Sequence, residues 1–379
     1  MKNRTLAVLA AVTVVVIVGA VIVNTRKEAF TTGTGGAFLL PDFAGKLNDA
    51  AKIVVASGAG SFTIVRGDKN WTIAEKYGYP AKYDVVKSLL LGLAELKTVE
   101  AKTAEPSLYP QLEVEDVASG AKSAMVTVED AKGATLASVI IGKERFGRGG
   151  DNATEVYVRK AGDKQSWLAT GSLQRNDDVK QWMRRDLVSV DRERVREVDV
   201  TPAGDAGDAD KPYQLTKEKA GEGDFALEGV PPDDKVKAPY EVDSIAGALG
   251  ALSADDVLPA ANLRADAKPI RKVEFKTFDG LSVVVQLYLQ DGKTWAKIIA
   301  ASDATAPGAS AEQAAATASA APTGAGSNLM TPDEVKHEIE DIDGRTKDWV
   351  FVLEPGDQTT LEKKFTDLIE PKDKAKPKS

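Results

Sequence analysis

One supersecondary arrangement occurs twice along this chain. "NWTIAEKYGYPAKYDVVKSLLLGLAEL" (Asn70–Leu96) and "DFALEGVPPDDKVKAPYEVDSIAGALGAL" (Asp224–Leu252) each read as a short strand, a Pro-containing turn and an amphipathic helix. In the first copy Val86, Leu89, Leu90, Leu93 and Leu96 recur at helical spacing. Val242, Ile245, Leu249 and Leu252 fall on Val86, Leu89, Leu93 and Leu96 at an offset of 156 residues. A stripe of this kind has to be buried against another layer, so each copy predicts a helix packed across a sheet.

The flanking segments predict hairpins. Phe62, Ile64, Trp71 and Ile73 alternate around Gly67-Asp68; Ala124–Gly142 turns at Lys132-Gly133; Thr154–Ala169 turns at Gly162-Asp163. Phe38–Val55 reads as a short docking helix leading into a strand near Lys52–Ala56, and Asn176–Val188 as a helix capped by Asp177 or Asp178. The pattern then restarts with a strand at Val195–Thr201 and a hairpin through Gly221–Gly223. Asp279-Gly280 stands where Lys132-Gly133 stood, and Trp349–Gln358 reads as a second version of Glu155–Lys164. Local tight turns favour antiparallel pairing over a doubly wound parallel sheet. The expected fold class is α+β: an N-terminal transmembrane helix, then two duplicated modules, each a mainly antiparallel sheet with packed helices. The expected domains are an anchor at 1–28, a linker and docking segment at 29–44, modules at 45–190 and 191–371, and a basic tail at 372–379. The offsets of 156, 147 and 194 differ between elements, which implies insertions. Ala300–Asn328 is the largest of these. Rich in Ala, Ser, Thr, Gly and Pro, it offers too little apolar surface to offset its ordering entropy and reads as a disordered loop.

Thr5–Val23 is an uncharged run of 19 residues. As a helix it would extend ~28 Å, close to the ~30 Å hydrocarbon core of a bilayer. The amino terminus, Lys2 and Arg4 precede it, while Arg26 and Lys27 follow, partly offset by Glu28. That bias places the N-terminus in the cytoplasm and the body outside it. A cleaved signal peptide would have a shorter apolar core and a small-x-small site, and no clean site follows Val23. The expected location is therefore a bacterial inner membrane, crossed once, with the body in the periplasm or another extracytoplasmic space.

The residues nominate no catalytic, cofactor-binding or metal-binding site. There is no cysteine, which excludes disulfides, thiol catalysis and Cys-based zinc sites. His337 is the only histidine, and no Gly-x-Ser-x-Gly elbow accompanies it. It sits in a highly charged helical segment and reads as a surface residue. "GKERFGRGGDN" (Gly142–Asn152) lacks the Lys-Ser/Thr end of a phosphate loop and reads as a hairpin connection, with Arg145 and Arg148 as an alternative anion or partner contact. Asp341–Val352 opens like a calcium loop, but Arg345 and Val352 occupy positions that need oxygen ligands. Asp177-Asp178, Asp233-Asp234 and Asp255-Asp256 read as caps and solubilising pairs rather than carboxylates set across a cleft. Trp71, Trp167, Trp182, Trp295 and Trp349 read as core, with sugar stacking as the alternative. A net charge of −8 with no basic stripe argues against nucleic-acid binding.

"LLPDFAGKLNDAAKI" from Leu39, the set Trp71, Ile73, Gly78, Tyr79, Pro80 and Ala81, and "LLLGLAELKTVEAKTAEPSLYPQLEVED" resemble the bacterial domain-of-unknown-function family numbered 4340. "GDKQSWLATGSL" and "VKQWMRRDLVSV" are similar to its middle section, so the resemblance runs from about Leu39 to Leu368, with the Ala-rich loop departing from it. It implies a membrane-anchored envelope protein associated with ABC-transporter components of the gliding-motility type, and no catalytic residues. The expected function is thus a non-catalytic extracytoplasmic accessory or scaffold working with an ABC-type transport system. Two alternatives stay open at this point: a binding module for a saccharide or other small ligand in a groove between the modules, and a hydrolase with an unrecognised carboxylate pair.

Overall fold

A computed structural model describes residues 36–146, 154–171, 173–204, 210–307 and 329–370. The apolar run Thr5–Val23, the basic tail, Arg148 and most of the Ala-rich insertion lie outside the described residues. Among the described residues no helix is long and apolar enough to cross a membrane. The chain divides into two compact units, one up to Met183 and the other from Arg184 on. Both are α+β, with large antiparallel sheets.

The first unit contains β1 (Ala50–Ser57), β2 (Gly60–Arg66), β3 (Trp71–Ile73), β4 (Tyr79–Pro80), β5 (Lys97–Ala101), β6 (Ala124–Asp130), β7 (Thr135–Phe146), β8 (Thr154–Lys160) and β9 (Ser166–Thr170). They form one sheet in the order β4-β3-β2-β1-β6-β7-β8-β9-β5. Helix α1 (Tyr83–Glu95) lies between β4 and β5 in sequence. Its stripe of Val86, Leu89 and Leu93 is buried, as is Leu96 just past its end. The inward residues of the strands, among them Ile53, Val55, Ile64, Val126, Val128 and Val139, complete the core. The docking segment expected before β1 is a 3-10 helix at Ala44–Asp49.

A smaller apolar cluster holds Tyr109, Val114 and Ile140, with Leu112, Met125 and Tyr157 against it. It is covered by the segment between β5 and β6, which includes a helical turn at Tyr109–Leu112. Gly142 permits this approach. A Cβ there would stand 2.2 Å from the Leu112 carbonyl oxygen, a distance no side chain can occupy.

The second unit contains β10 (Asp186–Val188), β11 (Val195–Pro202), β12 (Tyr213–Thr216), β13 (Ala226–Leu227), β14 (Lys235–Val236), β15 (Leu252–Pro259), β16 (Pro269–Thr277), β17 (Leu281–Gln290), β18 (Lys293–Ser302), β19 (Trp349–Leu353) and β20 (Ile369–Glu370). The main sheet runs β10-β15-β19-β18-β17-β16-β11-β12-β13, and β14 pairs only with β20. The helices are α2 (Pro239–Ala246), α3 (Pro332–Thr346) and α4 (Pro355–Leu361). Val242 and Ile245 of α2 are buried, as are Leu249 and Leu252 beyond it. The helical stripe thus continues through a 3-10 turn at Ala248–Ala251 into β15.

Three expectations are corrected. The helix read over Asn176–Val188 is a single turn, Val179–Trp182, followed by strand β10. Asp178 caps the turn as expected, accepting from the Lys180 amide, but Met183 is already extended. Pairing with β15 then wins: Arg185 Nε donates to the Ala254 carbonyl at 2.7 Å, and Leu187 and Val188 are buried. Gly356-Asp357 is not a hairpin turn. Pro355 starts α4 there, and Asp357 accepts from the Ser253 amide at 3.0 Å. Moreover β19 sits between β15 and β18, as β9 sits between β5 and β8, so it does not occupy the place of Glu155–Lys160. Finally, the Ala-rich insertion begins later than its composition suggests. Ala300 is buried in β18, Asp303 is held by Arg196, and Ala306 is buried.

Candidate functional site

The densest set of buried charge among the described residues is in the second unit, around Arg194. This residue ends a 3-10 turn at Arg192–Arg194 that feeds β11, and only 3% of it is exposed. Its Nε donates to Asp279 Oδ2 at 2.7 Å. Its two terminal nitrogens donate to the two Glu338 oxygens at 3.0 and 2.7 Å. Asp279 belongs to the turn between β16 and β17, and Glu338 to α3. Asp279 also accepts from the Met330 amide at 3.0 Å, while Thr277 Oγ1 accepts from the Leu281 amide at 2.8 Å. Burial alone would lower the guanidinium pKa, but the hydrogen bonds and charges of Glu338 and Asp279 outweigh it and push it up.

Local sequence explains each part. Thr331 caps α3 in a reciprocal box with Glu334, and Pro332 takes the first position, where no amide is needed. Glu334 is held below its ordinary range, first by the Thr331 backbone and then by its hydroxyl. The other end of the insertion is held at the same turn: the Asp303 amide donates to the Gly280 carbonyl at 2.7 Å, and Arg196 donates to Asp303 at 2.7 Å. Asp279 and Gly280 therefore hold both ends of the chain that leaves after β18 and returns at α3.

The first unit has its own buried arginine. Arg159 lies over the Tyr109 ring at 4.5 Å and donates to the Val114 carbonyl, the Asp163 carbonyl and Asp116 Oδ1. Tyr109 donates to the Lys164 carbonyl at 2.5 Å. On the second unit's sheet surface Lys276 joins Glu197 and Asp199. Burial is again outweighed there, by Asp199 and then Glu197, and the Lys276 pKa is raised.

Asp279, Glu338 and Asp116 each accept from the buried guanidinium they contact. The arrangement suits holding segments against a sheet. Among the described residues no group of three or more His, Asp or Glu side chains is placed to hold a metal ion.

The residues singled out by sequence fall elsewhere. His337 is on α3 with its side chain 79% exposed, 3.7 Å from Glu340. Asp341–Thr346 is the last part of α3, and Trp349–Val352 is strand β19. Arg145 is paired with Glu155 at 2.7 Å. The adjacent acids separate: Asp177 pairs with Arg175 while Asp178 caps, and Asp255 faces Arg185 while Asp256 faces Lys293. Trp71, Trp182 and Trp295 are buried; Trp167 and Trp349 are half-buried. The buried arginines were not nominated at all. Arg194 lies in the run "DRERVRE", where charge reads as a solvated face, and Asp279 reads as a turn residue.

A family profile described as "Domain of unknown function (DUF4340)" matches residues 71–271, which is 201 of 379 residues. The chain belongs to the DUF4340 family. The DUF4340 match starts at the first residue of β3 and ends within β16, so it draws on both compact units. It contains Arg159 and Arg194 but ends before Asp279 and Glu338. No curated protein and no solved structure was found to match the chain.

Proposed function

We propose that this DUF4340 protein is a membrane-anchored, extracytoplasmic accessory or scaffold protein, non-catalytic, working with an ABC-type transport system, and that its body is an internal duplication. Thr5–Val23 would be the anchor, which rests on its length, its apolarity and the flanking charges.

The duplication is supported by strand order. The first sheet contains the path β3-β2-β1-β6-β7-β8-β9-β5 and the second β13-β12-β11-β16-β17-β18-β19-β15. Adding ten to each strand number of the first gives the second. Phe38 bridges to Lys97 at the start of β5, as Asp186 pairs with Ser253 in β15. The eight stripe residues aligned at the offset of 156 are all buried. Each unit also has a satellite cluster: Tyr109, Val114 and Ile140 in one, and Tyr288, Trp295 and Val350 in the other. The segment between β5 and β6 covers the first, and Leu263, between β15 and β16, packs against the second.

The observation that carries the scaffold reading is the use of charge. The buried arginines hold covering segments and an insertion in place, which suits a body that presents surfaces to other proteins. Purification of the tagged full chain from membranes, followed by mass spectrometry of its partners, tests the reading. ABC-transporter subunits should be recovered at stoichiometric levels. Recovery of the chain alone under mild detergent would sink the transporter link.

A further inference from the structure

At the point where the described chain begins, residues 36–39 form the outer rim of the first unit's sheet. The Gly36 amide donates to the Thr98 carbonyl at 2.6 Å, the Thr98 amide to the Ala37 carbonyl at 2.9 Å, and the Leu39 amide to the Leu96 carbonyl at 2.8 Å. The ladder is regular around Phe38 and Lys97 and irregular past them, where the Thr98 carbonyl takes the Gly36 amide and β5 bulges between Thr98 and Glu100. Leu39, Leu96 and Thr98 point inward and are buried. Phe38 and Lys97 stand opposite each other on the exposed side, and Val99 follows at the bulge. Phe38 is 48% exposed and Val99 40%, a high exposure for side chains of this kind. Lys97 Nζ stands 5.1 Å from the centre of the Phe38 ring. Glu100, further along β5, is paired with Lys102 at 2.6 Å and does not cancel Lys97.

We infer that this rim is a membrane-contact surface, with Phe38 and Val99 seated at the headgroup level of an anionic phospholipid bilayer and Lys97 on its phosphates. The inference rests on the anchored reading above. Its occupant follows from chain length. Only the twelve residues Asn24–Gly35 separate the end of the apolar run from this rim. At ~3.3–3.6 Å per residue their full reach is about 40 Å, and any less extended path brings the rim closer to the bilayer. An aromatic ring and an aliphatic side chain flanking a lysine match the chemistry of that interface: the apolar parts leave water, and the ammonium meets lipid phosphates. Arg26 and Lys27 add positive charge next to the apolar run in sequence.

The absence of cysteine makes the test direct. The full chain, carrying Val99→Cys labelled with an environment-sensitive fluorophore, is placed in nanodiscs of phosphatidylcholine with phosphatidylglycerol. A nitroxide-bearing phospholipid serves as quencher. The expected result is a blue-shifted emission that the quencher reduces strongly. Adding Phe38→Asp or Lys97→Glu should relieve the quenching without shifting the melting temperature. So should omission of phosphatidylglycerol. A second protein labelled at Val14→Cys reports on the anchor itself. Quenching at position 14 with none at position 99 overturns the contact while leaving the anchor intact. Absence of quenching at both positions overturns the anchored reading and the contact together. Quenching at position 99 that ignores both substitutions and the anionic lipid overturns the assignment to this rim.

Discussion

Arg194 and Asp279, 85 residues apart in sequence, meet through a 2.7 Å hydrogen bond with both side chains almost fully buried. The pair ties the start of β11 to the β16–β17 turn, and Glu338 extends the tie to α3. Removing one member of such a pair leaves an uncompensated buried charge, which typically costs about 3–5 kcal/mol. Arg194→Met should therefore lower the unfolding free energy by about that amount in urea titrations. Asp279→Asn, which keeps a hydrogen-bond acceptor, should cost less. An Arg194→Met protein with unchanged stability would show that the network contributes nothing to folding.

Leu93 and Leu249 test the proposed duplication. Both are fully buried, the first in α1 and the second just after α2. Truncating either to Ala should cost about 2–5 kcal/mol, the usual range for a buried leucine. Each unit has its own core, so hydrogen exchange should locate the Leu93→Ala loss in strands of the first unit and the Leu249→Ala loss in strands of the second. Uniform loss across both units in either variant would count against separate cores.

Periodicity made much of this fold readable. The stripe residues of both helices, apart from half-buried Leu90, and the alternating residues of most hairpins are buried where spacing places them, because burying one face is what gives an amphipathic element its stability. Elements decided by pairing over long separations were not readable. Arg184 and Arg185 give no local sign that the next residues join β15, and so β10 reads as more helix. The position of β19 depends on a strand about 95 residues earlier, so its likeness to Glu155–Lys160 misled. The buried arginine networks were hidden for a related reason. A charged residue in a charged run reads as solvated until a distant carboxylate is brought onto it.

The insertion offers a test of what the contacts at its two ends contribute. Its two ends are held at Asp279 and Gly280, through Met330 and Asp303. Closing a shorter loop over the same points changes the entropy only slowly with length, about 0.6 kcal/mol per halving. Deleting residues 309–326 should leave the melting temperature nearly unchanged. A deletion that starts at Ser302 should lower it clearly, because it also removes Asp303 from Arg196 and takes out buried Ala306. Equal effects from the two deletions would remove the significance of the Asp303 contacts.

The second unit should lose stability in acid through a few identifiable carboxylates. Burial alone would raise the Asp199 pKa, but Lys276 and Gln214, donating at 2.8 Å each, hold it below the ordinary range. Asp303 is lowered in the same way, with burial outweighed by Thr305 and Arg196. Glu193 is lowered chiefly by Lys217. A carboxylate whose folded pKa lies below its unfolded value stabilises the fold above the unfolded value, and that contribution fades as pH falls through the folded one. The unfolding free energy should then stay level from about pH 7 to pH 5 and fall below about pH 4, where unfolded Asp and Glu take up protons. Lys276 has the opposite sign. Its raised pKa stabilises below the ordinary lysine range, near pH 10.4, and is lost only above it, so it adds no slope at neutral pH. Asp199→Asn combined with Asp303→Asn should flatten the acid limb measured by urea unfolding at successive pH values. An unchanged acid limb in that double variant, or stability that rises on acidification, would show that these carboxylates do not control the acid response.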